Sequence, residues 1–222
     1  MVSNLVYFGS DMTRLPLFPL NAVLFPNTPL PLHIFEERYR LLVARCIAGK
    51  LPFGVVYHRG EKMEQIGCSA QVDRVLKRYD DGRLDIVTVG RRRFSIESVD
   101  TSRPYLQALV HFLDESEESE DTADTNLATA AIDAMLRYIY YAEKEIDRDA
   151  LQELTVTELS FLIAGIDEMG LETKQHLLEV DSPVSRLEES VEALEQVTQQ
   201  LVSLMSLRKA TGNDVDMGSM KN

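Results

Sequence analysis

Residues 15–43 read LPLFPLNAVLFPNTPLPLHIFEERYRLLV. From Leu15 to Leu32 no side chain is charged, and eighteen such residues approach the length that crosses a bilayer as a helix. Five of the chain's eight prolines, Pro16, Pro19, Pro26, Pro29 and Pro31, fall inside that run. Each removes a backbone donor and clashes with the preceding turn, so a continuous helix is excluded. Without a helix, the run cannot pair its own amides in lipid. A secretory signal is excluded too, because the run follows Arg14, outruns an ordinary apolar core and is followed by no small-residue cleavage site. A polyproline ligand would be polar between its prolines, whereas these spacers are Leu, Phe and Val. What remains is β-structure, in short extended pieces with prolines at strand starts, edges or bulges.

Outward from this run the period stays near two. AQVDRVLKRYDDGRLDIVTVG, residues 70–90, is two alternating runs separated by Asp80-Asp81-Gly82, a hairpin signal. FGVVYHR, RFSIESV and YLQALVHFL supply further strands. One segment differs. In IFEERYRLLVARCIAG, the residues Phe35, Tyr39, Leu42, Val43, Cys46 and Ile47 recur at helical spacing, and Gly49 offers the stop.

After Leu113 the pattern changes. Asp114 to Asp124 holds seven acids, and the stretch 114–126 reads as a solvated linker with nothing to bury. The first 113 residues carry fifteen Lys/Arg against eleven Asp/Glu, the rest eight against twenty-five, giving the net charge of −13. Helical stripes follow: Ala128, Ala131, Ile132, Met135, Ile139 and Ala142, then Leu159, Leu162, Ile163 and Ile166 behind a Thr155 or Thr157 cap. Leu177 and Leu178 mark a short helix. A long one starts with Ser182 and Pro183, with Ser185 and Glu188 as a possible capping box. Its core face is Leu187, Val191, Leu194, Leu201 and Met205, interrupted by Thr198 and Arg208, which favours bundle packing over a self-associating coiled coil. The expected fold class is α+β, with a β domain over 11–113, an acidic linker over 114–126, a helical bundle over 127–210 and a disordered tail over 211–222.

The opening run resembles the N-terminal domain of Lon proteases, and more closely the stand-alone proteins built from it. The pattern is L-P-L-F-P-L at Leu15–Leu20, V-x-F-P at Val23–Pro26, and L-P-L-x-I-F-E-x-R-Y at Leu30–Tyr39. IGCSAQV matches the family's I-G-T-x-A-x-V strand, with Cys68 where Thr is commoner. DGRLDIVTVGRRRFSI supplies Asp81, Gly82, Ile86, Gly90, Arg93, Phe94 and Ile96 of a further motif. The resemblance implies a PUA-like pseudo-β-barrel with one amphipathic helix, followed by a C-terminal α-helical bundle. It also implies recognition of polypeptide.

The catalytic motifs of Lon are not in these residues. CIAGKLP is the nearest string to a P-loop, and it has Ala44 for the first Gly and Leu51 for the Ser/Thr. A nucleophilic Ser in a D-G-x-S-A-G context is also missing, so no catalytic residue is assigned and a non-enzymatic module is expected. His33, His58, His111 and His176 lie far apart, which offers no zinc spacing, and no metal or cofactor is expected. Cys46 and Cys68 read as two buried thiols.

Four residues stand out as partner-binding candidates. Arg91 and Arg92 belong to a cationic triplet in which Arg93 fits the structural motif, with Arg92 or Arg93 turned inward to an acid such as Asp85. Tyr140 and Tyr141 fall well off the apolar face of their helix, so they either pack on the β domain, which suits Tyr141, or present an adhesive surface, which suits Tyr140. The expected function is a binding module for polypeptide segments, acting as adaptor or holdase. RNA binding through the barrel, or a scaffold role in a larger complex, are the competing readings. Three arginines without interleaved aromatics are a weak nucleic-acid signal, and the acidic second half opposes it. With no targeting or transmembrane segment, a soluble cytoplasmic protein is expected.

Overall fold

The computed structural model describes residues 12–115 and 122–210. Seven strands and six helices follow in order: β1 (Met12–Leu20), β2 (Pro29–Ile34), α1 (Glu37–Gly49), β3 (Phe53–Arg59), β4 (Lys62–Met63), β5 (Ile66–Arg78), β6 (Leu84–Asp100) and β7 (Gln107–Phe112), then α2 (Thr122–Tyr141), α3 (Arg148–Gln152), α4 (Val156–Ala164), α5 (Leu171–Glu179) and α6 (Pro183–Ala210). The α+β reading holds. β1, β7, β6, β5 and β3 pair in that order, and a parallel pairing of β1 with β3 closes the ring. Register shifts along β5 and β6, at Cys68/Ala70, Val72/Arg74 and Val75/Lys77, bend the long strands enough to close it.

The prolines find the places their missing amide allows. Among the described residues β2 pairs with β6 alone, Pro29 opposite Val89 and Pro31 opposite Val87. Gly90 donates to the Thr28 carbonyl at 3.0 Å, and the Thr88 hydroxyl donates to the Leu30 carbonyl at 3.0 Å. That phase turns the peptide groups of Leu30, Leu32 and Ile34 toward β6 and those of Pro29, Pro31 and His33 away from it. Pro26-Asn27 makes the turn before β2, with Asn27 at φ 60°. A side chain on Gly90 would meet the Phe25 carbonyl at 2.0 Å, so only glycine admits this turn against β6. At the hairpin tip Gly82 takes φ 84° and donates to the Tyr79 carbonyl at 3.0 Å.

In α1, Tyr39, Leu42, Val43 and Cys46 are buried on the barrel. Two details differ from the sequence expectation. Phe35, expected on the helical stripe, precedes the helix and is 60% exposed, and Glu36, inside the segment read as helical, is the N-cap in extended conformation. The helix does end at Gly49, but the left-handed position falls on Lys50, whose N–H reaches the Ile47 carbonyl at 3.4 Å.

The bundle core is Ala131, Met135, Tyr138, Leu159, Phe161, Ile163, Leu187 and Leu194 among others. Thr155 caps α4 with a full capping box to Glu158. At α6 the cap bond runs from Ser185 N–H to Ser182 Oγ at 3.2 Å, so the pair is Ser182 with Ser185 rather than Ser185 with Glu188. The short α3 has no counterpart in the sequence reading.

Barrel and bundle share an interface. Phe25, 1% exposed, leaves the barrel to join the helical core and faces Phe161 at 6.1 Å. Beside it Arg93 and Arg186 are 1% and 0% exposed. Glu115 accepts from Arg93 Nε at 2.8 Å and from Arg186 Nη2 at 2.7 Å. Arg93 Nη1 donates to the Leu178 and Val180 carbonyls, and Arg186 Nε to Ser160 Oγ, with the Arg186 guanidinium 3.9 Å over Phe161. Burial pulls the Arg186 pKa down from its ordinary value.

This corrects two expectations. The inward acid for Arg93 is Glu115, not Asp85. The acidic stretch is not uniformly solvated either, because Glu115 serves the interface and Thr122 already opens α2. The remainder of the expected linker, 116–121, and the expected tail, 211–222, lie outside the described residues.

Candidate functional site

Where β1 and β2 end and α1 begins, the barrel has an open mouth. A cleft of about 300 Å³ is lined by Phe18, Pro19, Leu20, Leu32, His33, Ile34, Phe35, Glu36, Arg38 and Tyr39, with His58 of β3 and Leu106 before β7. The volume stands at the small end of ligand sites, enough for one or two side chains. Its floor is apolar and rigid: Phe18 and Tyr39 stack at 4.0 Å between centroids. Phe35 stands on the rim, its ring 6.0 Å from that of His33.

The polar rim is internally paired. His33 Nδ1 lies 2.5 Å from Asp85 Oδ1, and the Tyr79 hydroxyl donates to Asp85 Oδ2 at 2.7 Å. Hydrogen bonds from His33, then Tyr79, hold the Asp85 carboxyl below its usual range. Arg38 bonds Glu36 at 2.9 Å and lies 4.5 Å over the Tyr39 ring, while burial pushes the Tyr39 phenol up. No Ser, Thr, Cys or Lys lines the cleft. A His–Asp pair without a neighbouring nucleophile orients a ring; it does not assemble an acyl-transfer site. An apolar floor, an exposed aromatic and a hydrogen-bonded rim suit binding.

None of the four sequence candidates lines this mouth. Arg91 is exposed on β6. Arg92 is also exposed, but it bonds Asp114 at 2.7 Å and covers the Phe112 ring at 4.6 Å, which occupies its charge. Tyr140 is 76% exposed and meets Tyr141 edge-on at 5.2 Å. Both line a separate cleft of about 350 Å³ with Val202, Met205 and Ser206. The surroundings of Tyr141 are therefore the distal end of α6, in place of the β domain. What the residue-by-residue reading missed was Phe35. It fits a helical stripe that starts one turn too early, although it lies within the I-F-E step of the family motif.

Among the described residues no group of three or more His, Cys, Asp or Glu could hold a metal ion, and no helix is long and apolar enough to cross a membrane. Cys46 and Cys68 are free and buried, and burial pushes the Cys68 thiol up to about 12.

The chain is similar to the Lon protease of Cytophaga hutchinsonii, 26% identical over 215 residues that make up 91% of this chain and 26% of that protein. The Lon protease of Flavobacterium johnsoniae is 28% identical over 218 residues, with the same coverage. The chain thus spans about a quarter of the length of these curated relatives. Among solved structures, a Lon N-terminal domain protein from Xanthomonas campestris superposes with a TM-score of 0.63 at 25% identity, covering 80% of this chain and 96% of that one. The N-terminal domain of Mycobacterium avium complex Lon protease superposes at 0.69 with 17% identity, covering 82% and 98%. The family model for the ATP-dependent protease La (LON) substrate-binding domain matches residues 14–196, and the chain belongs to that family.

Proposed function

We propose that this chain is a binding module for unfolded polypeptide segments that acts as an adaptor or holdase, without hydrolysing peptides or nucleotide itself. The observation that carries the reading is the mouth cleft. Seven of its twelve lining residues, Leu32 to Glu36 with Arg38 and Tyr39, come from the L-P-L-x-I-F-E-x-R-Y run, and it leaves Phe35 60% exposed beside an apolar floor. Large aromatic rings at a concave apolar surface are the usual anchors of protein recognition. Its charged neighbours are already paired, which disfavours phosphate and so RNA. The working compartment on this reading is the cytoplasm.

The test compares the chain with its Phe35→Ser variant for binding of a reduced and alkylated, permanently unfolded protein. The variant should fold normally and bind at least tenfold more weakly, on the scale of one lost apolar anchor. Equal binding by both proteins would place recognition elsewhere. Salt-sensitive RNA binding without polypeptide binding would replace the reading.

A further inference from the structure

The mouth cleft adjoins a strand edge with an unusual donor balance. β2 pairs with β6 on one side, and among the described residues no strand pairs with its other side. The outward peptide groups are those of Pro29, Pro31 and His33. They offer three carbonyls and a single N–H, because proline has no amide hydrogen. A peptide added here as a strand would find acceptors for its own amides. Two of its carbonyls, however, would face proline rings, desolvated and unpaired. The ordinary mode of strand addition, in which main-chain bonds supply the affinity, is therefore closed at the very edge that borders the cleft. The cleft itself is open, apolar and of side-chain size.

Charge complementarity adds a second requirement. Three outward carbonyl dipoles against one N–H make the edge partially negative. A donor-rich, positively charged side chain beside the anchor fits this edge; a carboxylate does not.

Resting on the polypeptide-binding reading above, we propose that the mouth takes an extended segment through one bulky apolar side chain with a neighbouring lysine or arginine, and without adding a strand. Such recognition reads side chains and ignores the bound segment's amide hydrogens. It tolerates any backbone register, including segments broken by proline.

The experiment is an NMR titration of the ¹⁵N-labelled full chain with four hexapeptides. The parent is Ser-Gly-Lys-Phe-Gly-Ser. The second carries N-methyl groups on the Phe and the following Gly, the third replaces Phe by Ala, and the fourth replaces Lys by Glu. The parent should shift the amides around His33, Phe35 and His58. The methylated peptide should bind within about threefold of it, since the two amide hydrogens it gives up make no bond to the chain in this mode. Phe to Ala should weaken binding by at least about tenfold, and Lys to Glu by about threefold or more. A loss on the order of tenfold on methylation would mean strand addition and overturn the proposal while leaving polypeptide binding intact. No loss on replacing Lys by Glu would overturn its charge requirement. A parent peptide that shifts nothing, alongside an unfolded protein that binds elsewhere, would overturn the mouth as the site while leaving polypeptide binding intact; an unfolded protein that does not bind at all would overturn both readings.

Discussion

Phe25 and Phe35 lie ten residues apart in one proline-rich run, and the molecule treats them oppositely. Phe25 sits behind the Pro26-Asn27 turn, is 1% exposed and serves as the barrel's plug in the bundle core. Phe35 sits after the last residue of β2, is 60% exposed and packs beside His33 at an open mouth. Similar rings in similar local sequence thus divide between holding two halves together and facing solvent. The difference is tertiary: the bundle core, with Phe161 of α4, covers the first, and the second is left 60% exposed. The adjacent arginines repeat the lesson, with Arg93 locked between Glu115 and two carbonyls while Arg92 lies on the surface.

The largest way to break this contrast is at the buried charges. Arg186→Ala removes one of two cations around Glu115, leaves Ser160 Oγ without its donor and leaves the Val180 carbonyl with Arg93 alone. Breaking a buried pair typically costs about 3–5 kcal/mol. Urea unfolding should show that loss, or a separate early transition if barrel and bundle uncouple. A change under about 1 kcal/mol would mean water replaces the guanidinium freely.

Next comes the aromatic pair itself. Phe25→Ala should cost about 3–5 kcal/mol, as truncation of a buried ring does. Phe35→Ala should stay within about 0.5 kcal/mol, as exposed substitutions do. Parallel melts of the two variants check both at once. Similar losses in the two would show that Phe35 is covered in solution.

How much of this could be read from sequence depends on the range of the interaction. The period-two runs, the Asp-Gly tip and the prolines act over a few residues, and they gave β1, β2 and β5, and β6 as two pieces that the fold runs together into one strand. The Thr155 cap and the Ala131–Met135–Ile139 stripe were equally local. Arg93 with Glu115, 22 residues apart, and Arg186 with Glu115, 71 apart, were not legible. In an acidic block Glu115 looks like its neighbours, and no periodicity marks the one carboxylate that two buried cations need. Lys50 in the left-handed position was hidden for a similar reason, since Gly49 beside it is the commoner choice. Phe35 failed through phase: it extends the helical stripe backward, but the extended Glu36 N-cap places it before the helix.

A smaller effect belongs to the end of α2. Tyr138, 1% exposed, donates to Glu168, and Lys144 Nζ reaches Glu168 at 2.9 Å. Burial raises the Glu168 pKa, but the hydrogen bonds from Lys144 and Tyr138 outweigh it and hold the group below 4.5. A carboxyl depressed in the folded state adds stability above its unfolded pKa and loses it as pH falls through the folded value. The acid limb of the stability curve, below about pH 4.5, should therefore flatten in Glu168→Gln. The site is a third exposed, so screening limits the loss at pH 7 to about 1 kcal/mol. An unchanged acid limb would assign it to other carboxylates.

The smallest effect is expected at Tyr140, and it bears on the second cleft. Tyr140 is 76% exposed, and its ring meets Tyr141 edge-on rather than any core residue. Tyr140→Ala should change stability by no more than about 0.5 kcal/mol. Tyr141, half-buried beside Val202 and Met205, should cost more, about 1 kcal/mol, because its truncation exposes the distal turn of α6. The two variants also separate the clefts as binding surfaces. If the mouth is the site for polypeptide, Tyr140→Ala should bind the unfolded test protein as tightly as the parent, since this ring lies on the bundle and lines a different cavity. A clear loss of binding with stability intact would move recognition from the barrel to the bundle, and would make Tyr140, rather than Phe35, the exposed ring that matters.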